Sequence, residues 1–180
     1  QSRQENAEID RVAHHVMSHF LGKYEINQFA PLGSDERQYC SPGFNLPVGL
    51  LTRVALAEIY PKESGYFHYH NSSDNLSIVS DKRLSESFLL LYKIFNALEL
   101  NRLYTNQVMF CEPQLSKRNL YSTLGSESQF AQEGEKILWT LNYSDGKHDL
   151  LEIANKMSLP IETLASSTQE LVEAGLIKPL

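Results

Sequence analysis

Tyr66-Phe67-His68-Tyr69-His70-Asn71-Ser72-Ser73-Asp74-Asn75-Leu76 holds the residues best suited to metal chemistry in this chain. An aromatic, strand-like run ends in a histidine, and a neutral imidazole nitrogen is a good zinc ligand. Asp74 is an acid four residues beyond His70, and Leu76 then opens an apolar pattern. One histidine does not make a metal site, so further ligands must come from elsewhere. His68, two residues earlier in the same strand-like run, reads as a structural residue. His15 and His19 are one helical turn apart, a spacing that zinc sites use. They lack the glutamate of a His-Glu-x-x-His order and read as a partly solvated helix face.

Pro31 to Phe44 is the second candidate stretch. Pro and Gly bracket a polar cluster, as in loops that carry function. Asp35, Glu36 and Arg37 are consecutive, so their side chains cannot all face one ligand. The cluster is either a turn with an internal ion pair or an active-site loop. The planar guanidinium of Arg37 suits a substrate carboxylate. Cys40 and Cys111 are too few to frame a disulfide scaffold and read as idle thiols in a reducing cytosol.

These residues need elements to hold them. Apolar residues at Ala7, Ile9, Val12, Ala13, Val16, Met17 and Phe20 predict a helix over Glu5–Leu21. Lys23–Phe29 alternates like a strand. Pro47–Ala57 is an almost unbroken apolar run, which suits a strand buried on both faces of a parallel sheet. Ser80 reads as an N-cap for a long helix to about Leu100, with Leu84, Phe88, Leu91, Tyr92, Phe95 and Leu98 as its apolar stripe. Tyr104–Phe110 returns to strand character. The alternation predicts an α/β layered domain over residues 1–122.

Thr123–Gln129 is polar and reads as a linker. Beyond it, three short helical patterns follow: Glu133–Leu141, His148–Met157 and a segment opened by Pro160 and closed by Gly175. Asp145-Gly146 reads as a turn, and Leu176-Ile177 has strand character. Residues 129–180 therefore resemble a winged-helix or helix-turn-helix unit.

Charge limits the partners. The 180 residues carry a net charge of -6, which disfavours nucleic acid and anionic membranes. The segment Pro160–Ala174 would be the groove-reading helix, but it has three acids and no Lys or Arg. DNA affinity rests on phosphate neutralisation, so this unit is expected to contact protein. No apolar run approaches the length of a membrane span. The chain opens on Gln and runs straight into helical spacing, which suggests a natural start farther upstream.

Three blocks together carry a family resemblance. They are Gly33-Ser34-Asp35-Glu36-Arg37-Gln38-Tyr39-Cys40-Ser41-Pro42-Gly43-Phe44-Asn45-Leu46-Pro47-Val48-Gly49, the Tyr69–Leu76 element, and Glu112-Pro113-Gln114-Leu115 with Lys117-Arg118 and Leu120-Tyr121. They resemble aminopeptidase-like bacterial proteins associated with polysaccharide biosynthesis. These belong to the co-catalytic zinc aminopeptidase and carboxypeptidase class and carry a C-terminal winged-helix-like domain.

The resemblance implies that this chain is the C-terminal part of such a protein. It implies two zinc ions at the complete site, with His70 as one ligand and Ser34 as partner for the ligand's other ring nitrogen. Asp35 and Asp74 would support the metal loop, and Glu36 and Arg37 would lie beside the substrate. Many members carry His where this chain has Glu36. A Tyr that some members have before the Ser-Asp pair would align near Pro31. The remaining ligands and the general base lie upstream in the family, and Gln1–Phe29 supplies none of them, so no catalytic residue is assigned.

The expected function is hydrolysis of a peptide or amide bond by the complete protein. The alternative is an inactive scaffold that works through its acidic C-terminal unit. Lys117-Arg118 reads as a structural clamp. The expected partners are the upstream part of the same protein, a peptide-like or amide substrate, and a second copy of the chain, in the cytoplasm.

Overall fold

The computed structural model describes residues 1–32, 35–53, 72, 75–120 and 128–180, with the side chains of 78 and 128–131 left aside. It divides into two compact units. One comprises Gln1–Asp10 and Glu25–Lys93, the other Arg11–Tyr24 and Ile94–Leu180. The sequence suggested a division near 122; the structure draws its units elsewhere and brings the strand after Leu100 into the second unit.

Helix α1 spans Glu8–Phe20, three residues shorter at its start than the sequence pattern suggested. Glu8 and Asp10 lie in its first turn and His19 in its last, which suits the helix dipole. In the first unit, the Asp10 carboxylate gathers the residues before the helix. It accepts from the Ser2 N–H at 2.6 Å, the Ser2 hydroxyl at 2.5 Å and the Ala7 N–H at 3.1 Å. The Gln4 amide reaches the Asn45 carbonyl at 3.0 Å. Helix α2 is one turn, Glu36–Tyr39. Behind it, the buried Cys40 thiol donates to the carbonyls of Leu46 and Val48 at 3.3 and 3.2 Å.

Two expected strands are not found among the described residues, and 54–57 of the second lie outside them. Lys23–Phe29 is irregular; the Gln1 ammonium donates to its Asn27 carbonyl at 3.1 Å. The described part of the apolar run, Pro47–Arg53, is also irregular and exposes Leu50 and Leu51. Alternation and apolarity prepare a segment for a sheet, but a strand exists only when a neighbour accepts its backbone hydrogen bonds.

Helix α3 spans Asp81–Leu100. As expected, Ser80 begins it: its hydroxyl accepts the Arg83 N–H at 3.3 Å. Arg53 binds the first turns of α3, donating to the Arg83 carbonyl at 2.6 Å, to Glu86 at 2.5 Å and to the Ser87 hydroxyl at 3.2 Å. The buried residues of α3 are Leu90, Ile94 and Ala97. Most of the predicted apolar stripe is exposed: Leu84, Phe88, Leu91, Tyr92 and Phe95 face outward, and Leu98 is half-buried.

The second unit is built on a three-stranded antiparallel sheet. Its strands are β1 (Leu103–Asn106), β2 (Asp145–Asp149) and β3 (Ile177–Pro179), in the order β2-β1-β3. β1 pairs with β3 through Tyr104 and Pro179, Thr105 and Lys178, and Asn106 and Ile177. Against β2 the register shifts between Leu103–Asp149 and Thr105–Asp145. The extra residues of β2 form a turn inside the strand. Asp145 accepts the N–H groups of Lys147 and His148 at 2.8 and 3.1 Å, and Gly146 takes φ +78°. The predicted Asp-Gly turn is therefore a bulge in a strand.

Helices α4 (Ser128–Tyr143), α5 (Leu150–Met157) and α6 (Ala165–Glu173) pack on one core. Ile137, Leu141, Leu151, Ile153, Leu164 and Leu171 fill it. Local signals set the ends. Asp149 and Glu152 form a capping box at the start of α5. Ser158 ends α5 in the left-handed conformation, and Pro160 opens the 3-10 turn Ile161–Leu164 before α6. At the end of α6, the Gly175 N–H bonds Val172 and the Leu176 N–H bonds Leu171, the paired pattern of a Schellman stop.

Candidate functional site

Of the residues the sequence placed at a metal site, His70, Ser34 and Asp74 lie outside the described residues, as does His68. Asp35, Glu36 and Arg37 are described. Asp35 precedes α2 and accepts the backbone N–H groups of Gln38 and Tyr39 at 2.9 and 3.1 Å. Its side chain makes no cap hydrogen bond to the first turn. Glu36 is buried and Arg37 is exposed. Successive helical side chains diverge by about 100°, which separates these two as the sequence implied. Arg37 is thus open to solvent, and Glu36 is not. Arg118 stays local, donating to the Gln114 carbonyl at 3.3 Å.

Among the described residues, no group of three or more His, Cys, Asp or Glu could hold a metal ion. The described donors therefore do not fit a zinc centre by themselves. His15 was expected on a partly solvated face; it is buried, at 2% exposure, while His19 is exposed. Their rings lie 4.7 Å apart. His15 has no nitrogen left for a metal. Nδ1 is 2.6 Å from Asn155 Oδ1, and Nε2 accepts the Ile161 N–H at 3.0 Å.

One turn before His15, Arg11 donates to Asp149 Oδ2 at 2.7 Å. The same carboxylate accepts from Asn101 Nδ2 at 3.2 Å and caps the Glu152 N–H at 2.9 Å. Asn101 Oδ1 in turn accepts the Leu151 N–H at 2.9 Å. Burial opposes the charge on Asp149, but the bonds from Arg11, Glu152 and Asn101 outweigh it and hold its pKa below the usual carboxylate value. Sequence reading missed this network. The Asp149-Leu-Leu-Glu152 spacing before an apolar run was its one visible signal.

The second unit also has an open cleft of about 550 Å³, lined in part by Val108, Met109, Leu138, Trp139 and Tyr143. Trp139 and Tyr143 stack with centroids 5.4 Å apart. Lys156 Nζ sits 4.9 Å from the Tyr143 ring, in cation–π range.

Three helices with a tight turn before the third, edged by a small antiparallel sheet, define a winged helix-turn-helix unit. A family model described as "winged helix-turn-helix" matches residues 102–179. Residues 1–101 match the family described as "Domain of unknown function (DUF4910)", and the chain belongs to that family. It is 37% identical over 173 residues to a Clostridium acetobutylicum protein named "Putative polysaccharide biosynthesis protein with aminopeptidase-like domain". That match covers 96% of this chain and 38% of the relative. A crystal structure of a "putative peptidase" from Clostridium acetobutylicum superposes with a TM-score of 0.81 and 34% identity, over 99% of this chain and 37% of that one. The chain thus spans less than two-fifths of the length of these relatives. No helix among the described residues is long and apolar enough to cross a membrane.

Proposed function

We propose that this chain is the C-terminal part of an aminopeptidase-like zinc hydrolase that cleaves a peptide or amide bond. The observation that carries this reading is the 37% identity across 96% of the chain to a protein named for an aminopeptidase-like domain. The resemblance of the Ser34–Gly49 and Tyr69–Leu76 blocks to the same class supports it. His70 supplies one metal ligand, Ser34 holds its other ring nitrogen, and Asp35 and Asp74 brace the loop. Arg37, exposed on α2, is available to a substrate carboxylate; the buried Glu36 contributes by shaping the loop. When bound, two zinc ions would polarise the scissile carbonyl and activate water. The other ligands and the base come from outside these residues. The free thiols of Cys40 and Cys111 suit a cytoplasmic protein.

The alternative is a scaffold that has lost the chemistry. The acidic third-helix region favours protein contact for the winged-helix unit: Glu162, Glu170 and Glu173 are there, and no Lys or Arg. One experiment separates the two. The protein made from its whole natural reading frame should bind zinc stoichiometrically and hydrolyse aminoacyl amides, and lose both on chelation. His70→Ala should lower zinc content and activity together. Absence of zinc, or an unchanged His70→Ala variant, would overturn the hydrolase reading and leave the scaffold.

A further inference from the structure

Helix α3 is apolar on two sides. At 3.6 residues per turn, Leu90, Ile94 and Ala97 fall on one stripe, and Leu84, Phe88, Leu91 and Phe95 on another roughly 130° away. The first stripe is buried within the chain. The second is not: Phe88 is 72% exposed, Tyr92 59% and Phe95 60%. Scattered exposed apolar residues are ordinary, but a continuous stripe with large aromatics marks a contact surface. A helix apolar on two sides belongs in the middle of a layered structure.

A second apolar surface lies in the same unit. The irregular run Pro47–Arg53 has the composition of a buried strand, yet Leu50 and Leu51 are exposed. Arg53, at its end, is hydrogen-bonded to Arg83, Glu86 and Ser87 in the first turns of α3. Arg53 thus ties the end of the run to the first turns of α3 on the face that carries Leu90, not on the exposed stripe.

We infer that both apolar surfaces are covered by the part of the longer polypeptide that its relatives contain and these residues do not span. The same fold makes up 37% of the solved Clostridium acetobutylicum chain, so more than three-fifths of that chain lies beyond the match. An occupant must cover a helical stripe and, apart from it, an apolar run. A two-fold pairing of α3 with a second copy would satisfy the stripe and leave the run bare. A layered segment with a sheet edge satisfies both. The stripe itself carries no charge, as in permanent rather than transient contacts. The inference rests on the proposal that the chain is part of a longer protein, but it does not require that protein to be active.

Cysteine labelling tests it. Phe88→Cys and, separately, Tyr92→Cys are introduced with Cys111→Ser, leaving the buried Cys40. Maleimide labelling is compared between the 180-residue chain and the protein from the whole natural reading frame, with circular dichroism to confirm folding. Both sites should label readily in the 180-residue chain. In the longer protein they should be slowed about tenfold or more, as for a side chain that reacts only on local opening. Equal rates would overturn the inference. So would a reading frame that encodes nothing further, or protection of the 180-residue chain that rises with its concentration, which would point to a second copy. Protection without zinc-dependent hydrolysis would leave this inference standing and sink the hydrolase reading alone.

Discussion

The Ile161 N–H points at Nε2 of His15 from 3.0 Å, and this fixes where the imidazole carries its proton. A neutral ring has one donor and one acceptor. With Nε2 accepting, the proton sits on Nδ1 and is donated to Asn155 Oδ1 at 2.6 Å. A histidine from α1 thereby satisfies one of the N–H groups that the turn before α6 leaves unpaired.

Protonating His15 would set a new N–H against the Ile161 N–H. Burial lowers its pKa below 6.5; the Asn155 bond and Glu162 pull the other way, while His19 and His14 add to the lowering. The unfolded chain therefore takes up this proton at higher pH than the folded one. The stabilisation is complete above about pH 6.5 and is lost as pH falls toward the folded pKa. Urea midpoints should fall between about pH 8 and about pH 5, and His15→Leu should flatten that part of the profile. The same variant should cost about 2–3 kcal/mol at neutral pH, because it strands the Ile161 N–H and Asn155.

Asp149 joins a helix cap to an ion pair. Asp149→Ala should cost about 2–3 kcal/mol by urea denaturation, combining a lost cap with Arg11 and Asn101 left unmatched. Asp149→Asn keeps a capping oxygen and should cost about half as much. Because the folded carboxyl titrates below 3.8, its contribution is present above that pH and disappears as pH falls through the folded value. This loss lies well below the His15 transition, so the two steps should separate in one acid titration. A profile in which both variants match the parent would refute the network.

The two thiols should differ in reactivity. Cys111 is exposed, and Cys40 is buried with its hydrogen bonded to Leu46 and Val48 carbonyls. A thiol reagent should modify one cysteine per native chain quickly and the second only with unfolding. Fast reaction of both would show that the Cys40–Val48 turn is not closed as described.

Where a signal was local, the sequence was readable. The Ser80 cap, the Pro160 start, the Gly175 stop and the three helices of the second unit follow from capping and turn chemistry within a few residues. Where the outcome depended on distant partners, it was not. The stripe of α3 is apolar as read, yet which of its two apolar faces is covered depends on what else is present. Lys23–Phe29 and Pro47–Arg53 look like strands but have no ladder to join among the described residues. His15 reads as a surface histidine because Asn155 and Ile161 lie far along the chain. The candidate metal ligand is legible through its motif alone, since His70 lies outside the described residues.

Strand β1 occupies the middle of a sheet whose outer strands are made from much later sequence. A boundary drawn at the polar stretch after Leu120 would therefore split that sheet. A piece starting there would hold β2 and β3 with the space between them vacant, and two raw edges prone to pairing with foreign strands. During synthesis the same order holds. β1 leaves the ribosome first, can gain β2 only after α4 is made, and waits for β3 until almost the whole unit has emerged. The winged-helix unit closes on its last few residues, so its folding is gated by the end of the segment and not by its helices.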